Sequence, residues 1–292
     1  MCRGDGMPKE VLATKHPDDE LIRTDRMPHI WCPGCGIGIV MKCYIKAIKK
    51  SGIPPERHVV VSGIGCSSRL SGYVNIDSYH TTHGRAIPFA IGMNLVKPEL
   101  EITVIAGDGD LVTIGGNHFM HAIRRNHDIN VILINNFIYG MTGGQYGATT
   151  PLGSKASSAP YGTIDNPLNI PLLVASLGAP FVARWTTFHV HQLTDAILKA
   201  MKINGFAFIE VLSPCPTQYG EDNNFPTGLD MMKYFKKTCV VNHEADLRTV
   251  DIDLKSGKPI VVGNFVHKEK PSYNDMERKL IEDAMRERKL HG

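Results

Sequence analysis

The chain has 292 residues, 42% of them hydrophobic and 21% charged, with a formal net charge of +3. That suffices for one large domain or two modest ones, with an ordinary apolar share for a core. So small a net charge gives no electrostatic case for nucleic acid or an anionic membrane surface, and no apolar run approaches the roughly 18–20 residues of a membrane span.

Residues 1–30 are polar, rich in Pro, Asp and Lys, and read as an N-terminal arm. They hold no apolar stretch with a small-residue cleavage site, so a cytoplasmic setting is expected. Ile39, Val40, Cys43, Tyr44, Ala47 and Ile48 recur at helical spacing and predict a helix over 36–50, stopped by Pro54-Pro55. Val59-Val60-Val61 suits a buried strand of a parallel sheet. A second such strand, 102–106, runs into Gly107-Asp108-Gly109-Asp110. A helix follows over 116–125. A third strand, 131–134, runs into Asn135-Asn136.

Residues 140–170 are rich in Gly, Ser, Thr and Pro, and a loop of that length is uncommon unless functional. Then come a helix (172–177), a strand (181–185), a helix (190–201) and a strand (206–212) ending in Ser213-Pro214-Cys215-Pro216. Residues 220–292 read as an appendage. In it an amphipathic helix over 274–289 groups Met276, Leu280, Ile281 and Ala284, to dock on its own domain or on a partner. The alternation predicts an α/β fold: a doubly wound, mostly parallel sheet with helices on both faces. The expected domains are the arm (1–30), a central domain (31–227) and a C-terminal extension (228–292).

Every chemistry-bearing segment follows the carboxyl end of a predicted strand, the edge where open α/β sheets bind ligands. At the acidic turn Asp108 offers a charged oxygen, and its flanking glycines allow close approach to a phosphate. Asn136 and the Ile138 carbonyl add two more oxygens. That is a hard, oxygen-rich set suited to Mg²⁺, with a diphosphate completing the shell.

Seven cysteines, an odd number, argue against a disulfide framework. Three segments are stiff and small: Trp31-Cys32-Pro33-Gly34-Cys35-Gly36, Gly65-Cys66-Ser67-Ser68 and Pro214-Cys215-Pro216. Cys32, Cys35, Cys66 and Cys215 have the number and loop settings for a [4Fe–4S] cluster. A thioredoxin-like pair is a rival reading, but it leaves Cys66 and Cys215 unexplained. A Cys₄ zinc site is another, although zinc usually takes paired knuckles. Cys43 and Cys239 read as small core residues. Cys2, in the polar arm, fits either role.

With these residues in view, the chain resembles the thiamine-diphosphate-binding β subunits of 2-oxoacid:ferredoxin oxidoreductases, and among them the 2-oxoglutarate branch. The matching stretches are WCPGCGIG (31–38), GIGCSSR (63–69), TTHGR (81–85), GDGDLVTIGGNH (107–118) and NNFIYGMTGGQ (135–145), with Pro214-Cys215-Pro216. The resemblance runs from about residue 28 to 230. It implies one [4Fe–4S] cluster on Cys32, Cys35, Cys66 and Cys215, and Mg²⁺ on Asp108, Asn136 and the Ile138 carbonyl. Gly107, Gly109, Asp110, Gly140, Met141 and Thr142 would line the diphosphate. Gly34, Cys66, Ser67, His83 and Gly84 would lie near the cofactor's rings or the reacting carbon.

The implied reaction is oxidative decarboxylation of 2-oxoglutarate with CoA to succinyl-CoA and CO₂, with electrons passing through the cluster to ferredoxin, and the reverse fixing CO₂. No candidate is found for the glutamate that activates the cofactor's aminopyrimidine. The resemblance assigns it to an α subunit, which also supplies the CoA site in an expected (αβ)₂ assembly. No eight-iron ferredoxin motif is present. Other 2-oxoacids, or a non-catalytic electron-transfer role, are the alternatives.

Two side chains are candidates for catalysis. Arg69 offers a bidentate fork to the distal carboxylate of a dicarboxylic substrate. His83 offers a hydrogen bond or proton at the reacting centre. His80, His118, His121, His189, His191 and Arg85 read as scaffold or surface.

Overall fold

The computed structural model describes residues 16–291, with side chains through residue 288. Cys2 lies outside them. Eight strands form one sheet: β1 His58–Ser62, β2 Asp77–His80, β3 Glu101–Gly107, β4 Asn130–Asn135, β5 Phe181–Thr186, β6 Ala207–Leu212, β7 Cys239–Val241 and β8 Ile260–His267. Their order is β2-β1-β3-β4-β6-β5-β8-β7. The first six pair in parallel, β8 runs antiparallel to β5, and β7 pairs parallel with β8.

The β-branched runs form the strands because both faces of this sheet are covered. Along each strand alternate side chains enter different cores. Val60, Ile105, Ile132, Ala183 and Ile209 pack under α1 (Ile37–Ser51) and α5 (Val190–Ala200). Val59, Val104, Val131, Val182 and Phe208 pack under α2 (Ala86–Val96), α3 (Gly116–Arg125) and α4 (Ile170–Ser176). Each large side chain so buried contributes on the order of 1.5–3 kcal/mol.

Several elements escaped the sequence pattern. All four residues of β2 are exposed at the sheet edge, so β2 carries no apolar signature. Helix α2 (Ala86-Ile87-Pro88-Phe89-Ala90-Ile91) is apolar on every side, which erases the amphipathic signal. In the appendage, α6 (Gly228–Thr238) begins with a capping box between Thr227 and Asp230, and β8 extends the main sheet. Residues 16–30 carry two short 3₁₀ turns and dock through the buried Leu21 and an Ile22–Val74 bridge. Cys43 is buried as expected, its thiol directed at the Val190 carbonyl.

From β1 the chain runs outward to β2, then returns past β1 to β3 and on to β4. The strand order therefore reverses between β1 and β3, where a crevice opens at the carboxyl edge.

The far end of the molecule is fastened by polar contacts. Asn126, left-handed at φ 55°, ends α3, donates to the Pro271 carbonyl at 2.8 Å and receives the Tyr273 amide at 2.9 Å. Helix α7 (Tyr273–His291) starts there, its first turn tied to Asn204 through Asp275. Beyond that turn Met276, Leu280, Ile281 and Met285 are all more than half exposed.

His127 stacks on Tyr273 with ring centroids 4.6 Å apart, and neither of its ring nitrogens has a partner. Burial pushes both His58 and His127 down to about 4. In the unfolded chain such histidines titrate near 6.5. Their neutral forms therefore support the fold fully above about pH 6.5, and that support is lost as pH falls toward 4. We expect the thermal midpoint to drop between pH 7 and pH 5. His127→Phe, which keeps a ring on Tyr273, should make the drop smaller, as differential scanning calorimetry at the two pH values would show.

Candidate functional site

At the end of β3, Asp108 is 2% exposed and lies at the head of a π-helical turn, Gly109–Ile114, whose first amides have no intrahelical acceptor. Its carboxyl accepts from the Thr149 hydroxyl. Burial pushes that carboxyl up to about 6, against the opposing Thr149 and Gly109 hydrogen bonds. Gly109 is required for a reason the sequence does not advertise. A Cβ there would stand 2.2 Å from the Tyr139 ring, whose hydroxyl donates to the Gly109 carbonyl at 3.1 Å.

At the end of β4 the two asparagines do different work. Asn135 is an anchor: its amide donates to Glu210 at 2.7 Å, and its oxygen accepts from the Phe137 amide at 3.1 Å. Glu210 is fully buried and paired with Arg184 at 2.6 Å. Phe137 is left-handed at φ 66°, a costly conformation for an aromatic residue. That twist brings Asn136 and the Ile138 carbonyl round to Asp108. The Asn136 amide oxygen lies 3.1 Å from Asp108 Oδ1 and 2.8 Å from the Ile138 carbonyl.

Turned over, the Asn136 amide would donate to both acceptors, and for the bare protein that is the better hydrogen bonding. As oriented, three oxygens gather with no proton between them. Neighbouring ligands of an octahedral Mg²⁺ with bonds of 2.0–2.1 Å stand about 3 Å apart. With the Asn136 oxygen turned inward the two separations match that spacing, so in that orientation the oxygen set fits magnesium.

The cysteines come from three loops. Gly36 packs so tightly on the Cys215 loop that a Cβ would lie 2.4 Å from Ser213 Oγ. The Trp31 ring donates to the Cys66 carbonyl at 2.8 Å, fixing the first loop to the second. Cys32, Cys35, Cys66 and Cys215 all line one cavity, with Cys32 exposed and Cys215 buried. Burial pushes the Cys35 thiol up to about 12, and the other three thiols add to the rise. Cys66 and Cys215 are raised by burial too. A thioredoxin-like pair of Cys32 and Cys35 leaves Cys66 and Cys215, which line the same cavity, without a role.

Among the described residues, no three His, Cys, Asp or Glu side chains converge closely enough to hold a single metal ion. A mononuclear zinc site needs that convergence, whereas a cubane cluster brings its own sulfides and holds four thiolates farther apart. Four thiols lining one cavity match the number of thiolates a cubane cluster takes.

The oxygen set and the thiols are neighbours. The cofactor crevice is lined by Ile64–Ser67, His83, Gly107–Asp110, Asn136 and Ile138–Thr142. Cys66, Asn136, Gly140 and Met141 line both cavities. Gly140 lies beside two thiols: a Cβ on it would stand 3.5 Å from Cys215 Sγ and 3.9 Å from Cys66 Sγ.

Of the residues expected near the cofactor, Ser67, His83, Gly107, Gly109, Met141 and Thr142 also line the crevice. Asp110 reaches it, but the loops take up one carboxylate oxygen, Oδ1, while the buried Oδ2 has no partner among the described residues. Oδ1 accepts from the amides of Ile64 (3.1 Å) and Gly84 (2.9 Å) and pairs with His83 Nδ1. Gly84 stands behind the wall through that bond. Gly34 is not brought to the crevice; it packs on Gly228 at the start of α6. Arg69 is exposed on the 3₁₀ turn Ser67–Gly72, outside the lining. Thr149 and Tyr139 were missed by the sequence reading. Tyr139 sat unassigned within the 135–145 stretch, and only its place in the long 140–170 loop hinted at Thr149.

The family model described as thiamine pyrophosphate enzyme, C-terminal TPP binding domain, matches residues 63–211. A 2-oxoglutarate synthase subunit KorB from Methanocaldococcus jannaschii is 50% identical over 268 residues, 91% of this chain and 98% of that one. A 2-oxoacid:ferredoxin oxidoreductase subunit beta from Saccharolobus solfataricus is 45% identical over 189 residues, 64% of this chain and 62% of that one. Among solved structures, a 2-oxoglutarate:ferredoxin oxidoreductase from Magnetococcus marinus, with 2-oxoglutarate, coenzyme A and succinyl-CoA bound, superposes with a TM-score of 0.81 at 30% identity. It covers 92% of this chain and 91% of that one. The chain belongs to the thiamine pyrophosphate-binding β subunits of the 2-oxoacid:ferredoxin oxidoreductases.

Proposed function

We propose that this chain is the β subunit of a 2-oxoglutarate:ferredoxin oxidoreductase, converting 2-oxoglutarate and CoA to succinyl-CoA and CO₂ while two electrons pass singly through one [4Fe–4S] cluster to ferredoxin. The observation that carries this reading is the shared wall: Cys66, Asn136, Gly140 and Met141 line both the diphosphate crevice and the thiol cavity. An electron acceptor bound there sits beside an organic cofactor.

Asp108, Asn136 and the Ile138 carbonyl would hold Mg²⁺, and the turn after Asp108 and the 140–142 loop would hold the diphosphate. Cys32, Cys35, Cys66 and Cys215 would hold the cluster. Once bound, thiamine diphosphate supplies an electron sink for decarboxylation, and the cluster supplies one-electron transfer. Asp110 occupies His83 Nδ1, which leaves Nε2 to hydrogen-bond substrate or move a proton. Arg69 makes no ion pair among the described residues, which suits it to a substrate's distal carboxylate.

The α subunit would complete the site with the activating glutamate and the CoA pocket, in an (αβ)₂ assembly. Its cover is supported by the apolar side chains of the crevice, where Ile64 and Met141 are 40% and 43% exposed. Large exposed apolar groups of this kind mark interaction surfaces. A cytoplasmic setting suits thiols that must stay reduced to bind iron. In domain terms, we assign residues 31–227 to cofactor and cluster, with 228–292 as the extension.

Asp108→Ala should weaken thiamine diphosphate and Mg²⁺ binding at least tenfold and leave about four irons per chain. Calorimetry and elemental analysis of the anaerobically purified complex check this; retained cofactor and turnover would sink the magnesium assignment. Arg69→Ala should lower kcat/KM for 2-oxoglutarate about 10- to 100-fold, the loss of one charge-assisted contact, and change that for pyruvate far less. A substrate panel with unaltered preference would remove Arg69 from the carboxylate site.

A further inference from the structure

We propose that the Thr217 hydroxyl is a hydrogen-bond donor to the cluster sulfur of Cys32 and raises the cluster's reduction potential. The inference rests on the cluster reading above and extends it to a residue outside the ligand set.

Thr217 follows Cys215 by two residues, in the π-helical turn Pro216–Gly220. Its Oγ1 lies 3.2 Å from Cys32 Sγ, and among the described residues that hydroxyl makes no other hydrogen bond. A thiolate bound to iron carries no proton, so between these two groups only the hydroxyl can donate. One-electron reduction adds negative charge to the iron–sulfur core and its sulfurs. A donor aimed at a sulfur stabilises that charge more in the reduced state, which moves the potential upward. The proton stays on the Thr217 oxygen in both states, so the step remains a transfer of one electron.

Thr217 donates through its side chain, so substitution can remove the donor without altering the backbone. It also acts at a particular corner. Cys66 lines the diphosphate crevice and Cys215 is buried, whereas Cys32 and Thr217 are exposed. The hydroxyl would therefore act at a corner of the thiol cavity that meets solvent.

The test compares the wild-type complex, purified anaerobically with its α subunit, with Thr217→Val and Thr217→Ser. Potential is read by redox titration of the reduced cluster's electron paramagnetic resonance signal, with iron content measured alongside. Valine keeps the β-branched shape and removes the hydroxyl; serine keeps the hydroxyl. A more negative midpoint in Thr217→Val, with Thr217→Ser close to wild type, is expected. So is loss, in the valine variant alone, of a solvent-exchangeable proton coupled to the reduced cluster. An unchanged midpoint in Thr217→Val, or equal shifts in both variants, overturns the inference while leaving the cluster assignment standing. A wild-type complex without four irons overturns the cluster reading, and this inference with it.

Discussion

The site depends on a buried chain of polar groups that runs beneath it. Arg184 on β5 pairs with Glu210 on β6, Glu210 receives Asn135 at the end of β4, and Asn135 holds the amide of the left-handed Phe137. Arg184 also donates to the Val250 carbonyl, which brings the C-terminal extension into the same network. Buried ion pairs contribute little net stability, since desolvation offsets their attraction, but removing one partner costs about 3–5 kcal/mol. What this one accomplishes is placement. It fixes three adjacent strands in register at their carboxyl ends and pins the turn that no aromatic residue would adopt unaided. Once Phe137 is twisted, Asn136 and Ile138 face Asp108, and Gly140 arrives beside Cys66 and Cys215.

Placement matters because both ligand sets are unfavourable without their ligands. Asp108 is a buried carboxyl facing two other oxygens, and burial alone raises it toward neutrality. Cys35, Cys66 and Cys215 are desolvated thiols displaced away from ionisation. A divalent ion or an iron cluster would supply the positive charge that such surroundings lack.

Much of this was legible in the sequence, for a definable reason. Buried parallel strands announce themselves as short β-branched runs, and ligands collect at their carboxyl ends. Reading Cys66, Asp108, Asn136 and Cys215 as strand-end residues was therefore enough to bring them together. What stayed hidden depends on contacts across the chain. Gly34 sits in the most conspicuous motif, yet its surroundings are set by Gly228, nearly two hundred residues later. Asp110 belongs to the acidic turn, but the Ile64 and Gly84 amides claim one of its carboxylate oxygens. Thr149 is one hydroxyl among many in a Ser/Thr-rich loop, and only the fold brings it to Asp108. Helix α2 and strand β2 were lost for opposite reasons, one apolar on all sides and the other exposed along its whole length.

The two cavities also differ in how they meet solvent. The crevice at the ends of β1, β3 and β4 opens beside the exposed apolar side chains of Ile64 and Met141, a surface suited to being covered. The thiol cavity opens instead at Cys32, the one exposed thiol of its four. The crevice and the thiol cavity thus share the Cys66–Gly140 wall but open to solvent differently, one beside exposed apolar side chains and the other at an exposed thiol.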